Sequence, residues 1–231
     1  MKKEIFKKID LLLGRDLHYK PETSEKVKWF GDKYAGFYVA PSLLEEKNNI
    51  IYSFGVGTNI SFDLQLIDAF DCEVYAFDPT PKSIAWIKKQ NLPVNYKFYD
   101  YGVAKKDGMV EFYLPDNPDH VSATIFSKTE SNKSGIVEVP MKSFNSIINE
   151  LGHSKIDVLK LDIEGSEYDV IEDIVKANVQ IKQLLVEFHH RMPYIEDGLA
   201  KTKKAVKILK NNGYLISKVS NTLEEYSFIK Q

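Results

Sequence analysis

Cysteine is almost absent from this chain. Cys72 is the only one, so no internal disulfide can form, and neither a cysteine zinc cluster nor a disulfide-stapled fold is available. Such usage favours a reducing cytoplasm as the location. Net charge is lacking too: 31 basic side chains meet 33 acidic ones, for a formal charge of -2. This balance removes any general attraction to nucleic acid or to an anionic membrane, so neither is expected as a partner. No apolar run approaches the length that spans a bilayer. The opening "MKKEIFKKIDLLLG" starts basic, but Lys7, Lys8 and Asp10 break its apolar part, which argues against a signal peptide. Internal repeats and low-complexity tracts are absent as well.

What is present is enough for a core. The chain has 231 residues, 43% of them apolar, with 13 Tyr and 13 Phe; this suits one compact domain with a modest extension. Residues 1–35 read as a helical and irregular lead-in, and 36–231 as the main domain. In the lead-in, Ile5, Phe6, Ile9, Leu12 and Leu13 share one helix face, which is expected to pack on the domain. From Ile50 onward strands and helices alternate: "NIIYSF", "ISFDLQLIDAF", "CEVYAF", "PKSIAWIKKQ", "VNYKFYD". Residues 103–140 break the rhythm with short strands "GMVEFYL", "ATIFS" and "IVEVP" among loops. Alternation resumes with "SFNSIINEL", "KIDVLKLDI", "SEYDVIEDIVKA", "IKQLLVEF" and a long helix over about 196–212, with Gly213 at its C-terminal end. Such units predict an α/β fold with a doubly wound, mostly parallel sheet. The closing strands "YLISKVS" and "EEYSFIK" are joined too tightly for a crossover, so they are expected to form an antiparallel hairpin.

In doubly wound sheets ligands lie beyond the carboxyl ends of the strands. After the first core strand comes Gly55-Val56-Gly57-Thr58-Asn59-Ile60. Glycines here allow a tight turn and the close approach of a ligand. A dinucleotide site wants a third glycine three positions after the second, where Ile60 stands; a glycine pair alone is equally well a plain turn. After the second strand come Asp78 and Pro79. An acid at this point can accept hydrogen bonds from both ribose hydroxyls. A helix cap is the competing role, but Thr80 can cap and would leave Asp78 free. After the third strand, Asp100 or Tyr101 would contact an adenine, or Asp100 would cap a turn.

Asp162 and Glu164, in "LKLDIEGSE", lie two apart at the end of the fourth core strand and share a side. They suit a divalent ion, a substrate proton or a cationic cofactor; the competing reading has Glu164 or Ser166 starting the helix. "VEFHHRMP" supplies Glu187, His189, His190 and Arg191 after the fifth strand. Alternation puts Glu187 and His189 on one face and His190 elsewhere. A histidine here would serve as general base, its reference pKa of about 6.5 lying near neutrality.

The succession "YSFGVGTNISFD", "YAFDPTP", "LKLDIEGSEYDVI" and "LLVEFHHR" resembles the FkbM family of S-adenosylmethionine-dependent methyltransferases, from about Lys28 to the C-terminus. "GDKYAGFYVA" is similar to a family lead-in G-x-K-x-x-G-G-Y, with Phe37 in place of the second glycine. The resemblance implies a class I methyltransferase fold with S-adenosyl-L-methionine as cofactor. It implies that Gly55, Gly57 and Asn59, with Val56 between them, line the methionine part, and that Asp78, beside Pro79, takes the ribose. The missing third glycine is then explained, because this cofactor carries no pyrophosphate.

The expected reaction is methylation of a hydroxyl on a small molecule or glycan. "DIEG" in place of N/D-P-P-Y/F argues against base methylation. His189 is the first choice of base, with His190 as the second candidate. Asp162 and Glu164 would support the base, or hold a divalent metal together with His189. Residues 115–135, with Asp119, His120 and Ser122, are placed to form a substrate lid. Two other readings stand beside this one: a nicotinamide-dependent oxidoreductase, disfavoured by Ile60 and the closing hairpin, and a non-catalytic adenosyl-binding domain.

Overall fold

A computed structural model describes residue 14 and residues 16–44, 48–113 and 135–231. The amphipathic segment around 5–13, the segment "ATIFS" and the expected lid with Asp119, His120 and Ser122 lie outside the described residues.

The lead-in contains a hairpin that the sequence did not announce, β1 (Lys28–Phe30) against β2 (Phe37–Val39). These strands are too short for a periodic signal, and the hairpin spans the point chosen as the boundary at 35/36. It is fastened to the main sheet by side chains. Gln183 bonds Ala40 through both its amide groups, and the Ser227 hydroxyl donates to the Tyr38 carbonyl at 2.7 Å.

Alternation then proceeds as predicted. Strand β3 (Ile50–Phe54) leads to α1 (Ser61–Phe70), β4 (Glu73–Phe77), α2 (Pro81–Ile87) and β5 (Tyr96–Tyr99). A smaller sheet follows, made of β6 (Gly102–Ala104), β7 (Gly108–Tyr113) and β8 (Ile136–Ser143) in the order β6-β8-β7. Helix α3 (Phe144–Leu151), β9 (Lys155–Leu161), α4 (Glu167–Lys176), β10 (Gln180–Glu187) and α5 (Gly198–Asn211) return the chain to the main sheet. Finally β11 (Tyr214–Val219) and β12 (Glu225–Lys230) form the expected antiparallel hairpin.

The main sheet has seven strands in the order β11-β12-β10-β9-β3-β4-β5. Only β12 runs against its neighbours; it is inserted between β11 and β10. This is the class I methyltransferase architecture. Strands β3, β4 and β9 are buried at every position but the first, because helices cover both faces. On α1 the predicted face holds: Phe62 and Leu66 are buried, and Ile67 and Phe70 pack on the same cluster. At the far end of α5, Gly213 takes φ +78° just past the last turn, as a C-terminal glycine should.

The order places β4 on one side of β3 and β9 on the other. The chain reverses direction across the sheet at this pair, so a crevice opens beyond the carboxyl ends of β3 and β9.

Candidate functional site

Gly55 ends β3 with φ +84°, and its position is tighter than a turn requires. A Cβ there would lie 1.7 Å from the backbone oxygen of Asp162, the residue just past β9. Side chains longer than hydrogen are excluded by the packing of two strand ends, whatever lies in the crevice. Gly57, at φ +58°, lines the same polar cavity as Gly55.

Two cavities adjoin at this point. One, of about 250 Å³, is polar and is lined by the loop Gly55–Asn59 together with Asp78, Thr80, Lys160, Asp162 and Glu164, with Tyr34 at its side. The other, of about 60 Å³, is walled by Phe54, Phe77, Pro79, Val103, Phe112 and Ile163. Gly55, Asp78 and Thr80 line both.

Asp78 is not the free acid expected of it. It is 5% exposed, and each carboxylate oxygen accepts two hydrogen bonds. Oδ2 takes the backbone N–H groups of Val56 and Gly57 at 3.0 and 2.8 Å; Oδ1 takes the N–H and hydroxyl of Thr80 at 2.9 and 2.6 Å. Thr80 precedes α2 but makes no side-chain cap to it, because its hydroxyl is spent on Asp78 and lies 2.7 Å from Ser83 Oγ. A carboxylate offers about four lone-pair sites, and all are used: two hold the glycine loop and two hold Thr80 before α2. Asn59 is likewise engaged: its Nδ2 donates to Asp32 Oδ2 at 2.7 Å and its Oδ1 caps the Ser61 N–H, which docks the lead-in loop on α1. Ile60, in the place of a third glycine, is buried in the core.

Other residues proposed for an adenine fall elsewhere. The Tyr101 ring packs at 5.6 Å from Phe77, with the Lys142 ammonium 4.0 Å above it, and Asp100 is exposed. Neither lines the two cavities. The apolar walls come instead from Pro79 and from β6, where a Cβ on Gly102 would press on the end of the Met141 side chain at 2.8 Å and on Pro79 at 3.1 Å.

Asp162, Glu164 and His189 do come together. Glu164 sits at φ +55° and Gly165 at +100°, a left-handed pair that turns the chain sharply before α4. Strain of this kind in a non-glycine residue persists only where neighbours enforce it. The enforcing group is Glu167, fully buried, whose Oε1 accepts from the Ile163 and Gly165 N–H groups at 3.0 and 3.2 Å. The same oxygen lies 2.9 Å from His189 Nδ1; since an ionised carboxylate only accepts, Nδ1 carries the proton. His189 Nε2 then faces Asp162 Oδ1 and Glu164 Oε2, both at 3.7 Å, and Glu187 Oε1 at 3.9 Å. Burial alone would lower the His189 pKa. The Glu167 charge and hydrogen bond, then Asp162 and Glu164, outweigh it and raise the value well above 6.5. Burial, with the Asp162 charge beside it, pushes Glu187 up to about 9.

His190 points away, as alternation requires. Its Nε2 bonds Asp16 Oδ1 at 3.2 Å, next to the Arg191–Asp16 ion pair; neither histidine is among the residues lining the two cavities, and it is the contact with Asp162 and Glu164 that sets His189 apart. Burial leads the effects that lower its pKa.

Two participants were missed in the sequence. Glu167 reads as an acid in the first turn of a helix, a position that needs no special role. Lys160 had a visible signal: a cation inside an apolar, doubly covered strand is rare without a purpose. It is 4% exposed, its ammonium donates to the Gly55 carbonyl at 2.6 Å and lies 3.6 Å from Asp162 Oδ2.

Residues 49–216 match the family model described as the methyltransferase FkbM domain. The chain is similar to probable methyltransferase-like protein 24 of Homo sapiens, 31% identical over 156 residues, which cover 66% of this chain and 36% of that protein. The same protein of Rattus norvegicus is 31% identical over 149 residues, 63% of this chain and 34% of the relative. This chain thus spans about a third of the length of those relatives. Among solved structures, similarity extends to the fibrillarin pre-rRNA processing protein of Methanococcus jannaschii, at 13% identity and TM-score 0.46, over 93% of this chain and 86% of that one. It extends also to precorrin-6y C5,15-methyltransferase of Geobacter metallireducens, at 12% identity and TM-score 0.43, over 82% and 85%.

Proposed function

This chain belongs to the FkbM methyltransferase family, and on that premise we propose that it moves a methyl group from S-adenosyl-L-methionine to a hydroxyl oxygen of a small molecule or glycan. The observation that carries the reading is the pair of adjoining cavities at the β3/β9 crevice, one polar and one apolar, with Asp78 at the seam. A nucleoside with a charged amino-acid tail has that same division.

The fit runs residue by residue. The apolar walls of Phe54, Phe77, Pro79, Val103 and Ile163 suit a purine. Lys160, next to the glycine loop, offers a buried cation to the tail's carboxylate, and Asp162 offers a partner to its amino group. Gly57 and Val56 give the tail bare or nearly bare backbone to lie on. Asp78 takes the ribose if the Thr80 hydroxyl turns toward Ser83, 2.7 Å away, and releases one site on Oδ1.

When bound, the cofactor supplies an electrophilic methyl on a sulfonium, so the leaving group departs neutral. The protein must hold the acceptor oxygen in line, exclude water and take one proton. His189 Nε2 is the atom assigned to that proton, with Glu167 fixing the ring and its tautomer through Nδ1. In the cofactor-free protein the carboxylates around it, Glu167 first, raise the imidazole pKa against the effect of burial. A sulfonium charge entering beside Asp162 and Glu164 opposes that effect and frees Nε2 to accept.

The test is calorimetry with S-adenosylhomocysteine, followed by methyl transfer to a panel of hydroxylated acceptors. Binding that is weakened at least about tenfold in Lys160→Gln, with turnover lost in His189→Ala but binding kept, is the expected pattern. No heat with the wild-type protein would sink the cofactor reading. Binding without transfer to any acceptor would favour a non-catalytic domain.

A further inference from the structure

The carboxylates around His189 pose a problem of chemical matching. The ring is 5% exposed, and its Nδ1 proton is committed to Glu167. Nε2 has no hydrogen-bond partner among the described residues. It faces Asp162, Glu164 and Glu187, which in their ionised form only accept. Their oxygens lie 3.7, 3.7 and 3.9 Å away. These distances are too long for an N–H···O bond, which spans about 2.7–3.2 Å. They are right for two ligands of one metal ion: at bond lengths of about 2.0–2.3 Å, neighbouring ligand atoms stand roughly 3–4 Å apart.

We propose that His189 Nε2, Asp162 Oδ1 and Glu187 Oε1 form a divalent-cation site, with the Glu164 carboxylate at its rim. The ligating atoms of the first three side chains all lie within 4.8 Å of one another. Two features separate this cluster from a chance gathering of acids. The histidine is nine-tenths buried and aims an uncommitted nitrogen into it. Its other nitrogen is held by a buried carboxylate, the arrangement that fixes the tautomer of metal-bound histidines. Glu167 in turn is locked by two backbone N–H groups, so the ring cannot swing away. The ligand set is one imidazole with carboxylate oxygens and no sulfur. That favours a hard or borderline ion of the Mn²⁺ or Mg²⁺ class over zinc held by thiolates.

The ligand set differs from the sequence expectation in one member. Glu187, at the last position of β10, ligates, and Glu164 is the outer neighbour. Binding of the ion stands on these distances alone. With the ion on Nε2 that nitrogen no longer takes the acceptor's proton, so an occupied site replaces His189 as the base; only the ion's use, to hold the acceptor oxygen beside the methyl donor, rests on the methyl-transfer reading.

Titration of chelator-treated full-length protein with MnCl₂, followed by the loss of the free-ion paramagnetic resonance signal, tests the site. Uptake of a single ion per chain is expected, with a raised melting temperature. Glu187→Gln should weaken uptake at least about tenfold and Glu167→Gln by roughly 10–100-fold, the usual effect of losing an outer partner. Circular dichroism and S-adenosylhomocysteine binding of Glu187→Gln report that the fold is kept. For wild-type protein alone, Mn²⁺ should broaden the His189 ring resonances selectively, a readout that needs no variant. Absence of uptake at millimolar Mn²⁺, uptake indifferent to Glu187→Gln, or unbroadened His189 signals would overturn the proposal. Failure of S-adenosylhomocysteine to bind while Mn²⁺ does would instead count against the cofactor reading alone.

Discussion

Glu167→Gln isolates the charge at the base of the site. The substitution keeps the side chain's shape and leaves a carbonyl oxygen at Oε1, so the three contacts to Ile163, Gly165 and His189 survive in outline. What disappears is the charge behind them. A hydrogen bond to a charged group contributes about 1.5–3 kcal/mol and a neutral one about 0.5–1.5, so each contact weakens by roughly 1 kcal/mol. Three such losses set an upper bound of about 3 kcal/mol. Relief from burying a carboxylate offsets part of this, but Oε2 has no partner, so the new amide N–H groups gain none. A net loss of about 2 kcal/mol follows, or a drop of roughly 4–8 °C in Tm for a chain of this size.

The second consequence separates charge from shape. His189 owes its raised pKa to Glu167 before any other group, once burial has pulled it down. A histidine whose folded value exceeds its unfolded value stabilises the protein fully below the unfolded pKa of about 6.5, and that contribution is lost as pH rises through the folded value. Wild-type protein should therefore shed stability on the alkaline side of neutrality. The variant should shed it at lower pH, and NMR titration of the His189 ring in chelator-treated protein should move down with it. An unchanged His189 titration in a folded Glu167→Gln protein would refute the assignment of Glu167 as the group that charges and orients the ring.

Gly55→Ala should fail to give folded protein, since its Cβ meets the Asp162 carbonyl at 1.7 Å with φ already at +84°, a combination expected to cost more than about 3 kcal/mol; soluble yield and circular dichroism check it. Lys160→Gln should fold and weaken S-adenosylhomocysteine binding, mainly through lost contact with the tail carboxylate, and 5′-methylthioadenosine, which lacks that tail, should bind both proteins alike. Buried Asp63 is pushed up to about 6, chiefly by burial and only partly opposed by the Lys160 charge. Its folded form holds a proton that the unfolded form releases above about 4, so it lowers stability as pH rises to 6. Asp63→Asn should gain up to about 3 kcal/mol on wild type between pH 4 and pH 7 in urea melts.

Much of the framework was legible because it rests on repetition. Alternating apolar strands and amphipathic helices gave the parallel sheet, and the short link after β11 gave the antiparallel close. The β1/β2 hairpin was hidden because three-residue strands carry no period, and its anchors, Gln183 and Ser227, lie far along the chain. At the candidate site, Asp162, Glu164, Glu187 and His189 stand beside one another as strand-end logic expects, and alternation turns His190, the second candidate base, to the other side. It failed where a polar group serves its own backbone. Asp78 was taken as free because Thr80 looked like a cap, whereas the Thr80 hydroxyl turns back onto Asp78. Tyr101 looked like a stacking platform because nothing in "YDYG" says that its ring is already covered by Phe77.

The two glycines that open the crevice show how a motif can carry separate demands. Gly55 is required by the fold: β3 and β9 end so close together that the Asp162 carbonyl fills the space of a methyl group. Asp162 is one of the acids of the site, so the same contact that forbids a side chain at 55 fixes where that carboxylate starts from. Gly57 is held by Asp78 Oδ2 through its N–H and faces the polar cavity. Asp78 ties this loop to the turn before α2, and Lys160 ties it to β9 through the Gly55 carbonyl. The cavity wall is therefore braced from both sides by a buried anion and a buried cation before any ligand arrives. A ligand that takes hydrogen bonds from either brace must replace what the brace already does. In the proposed cofactor complex a ribose hydroxyl would replace a bond at Asp78 and the tail carboxylate would meet Lys160, so that neither buried charge is left unpaired.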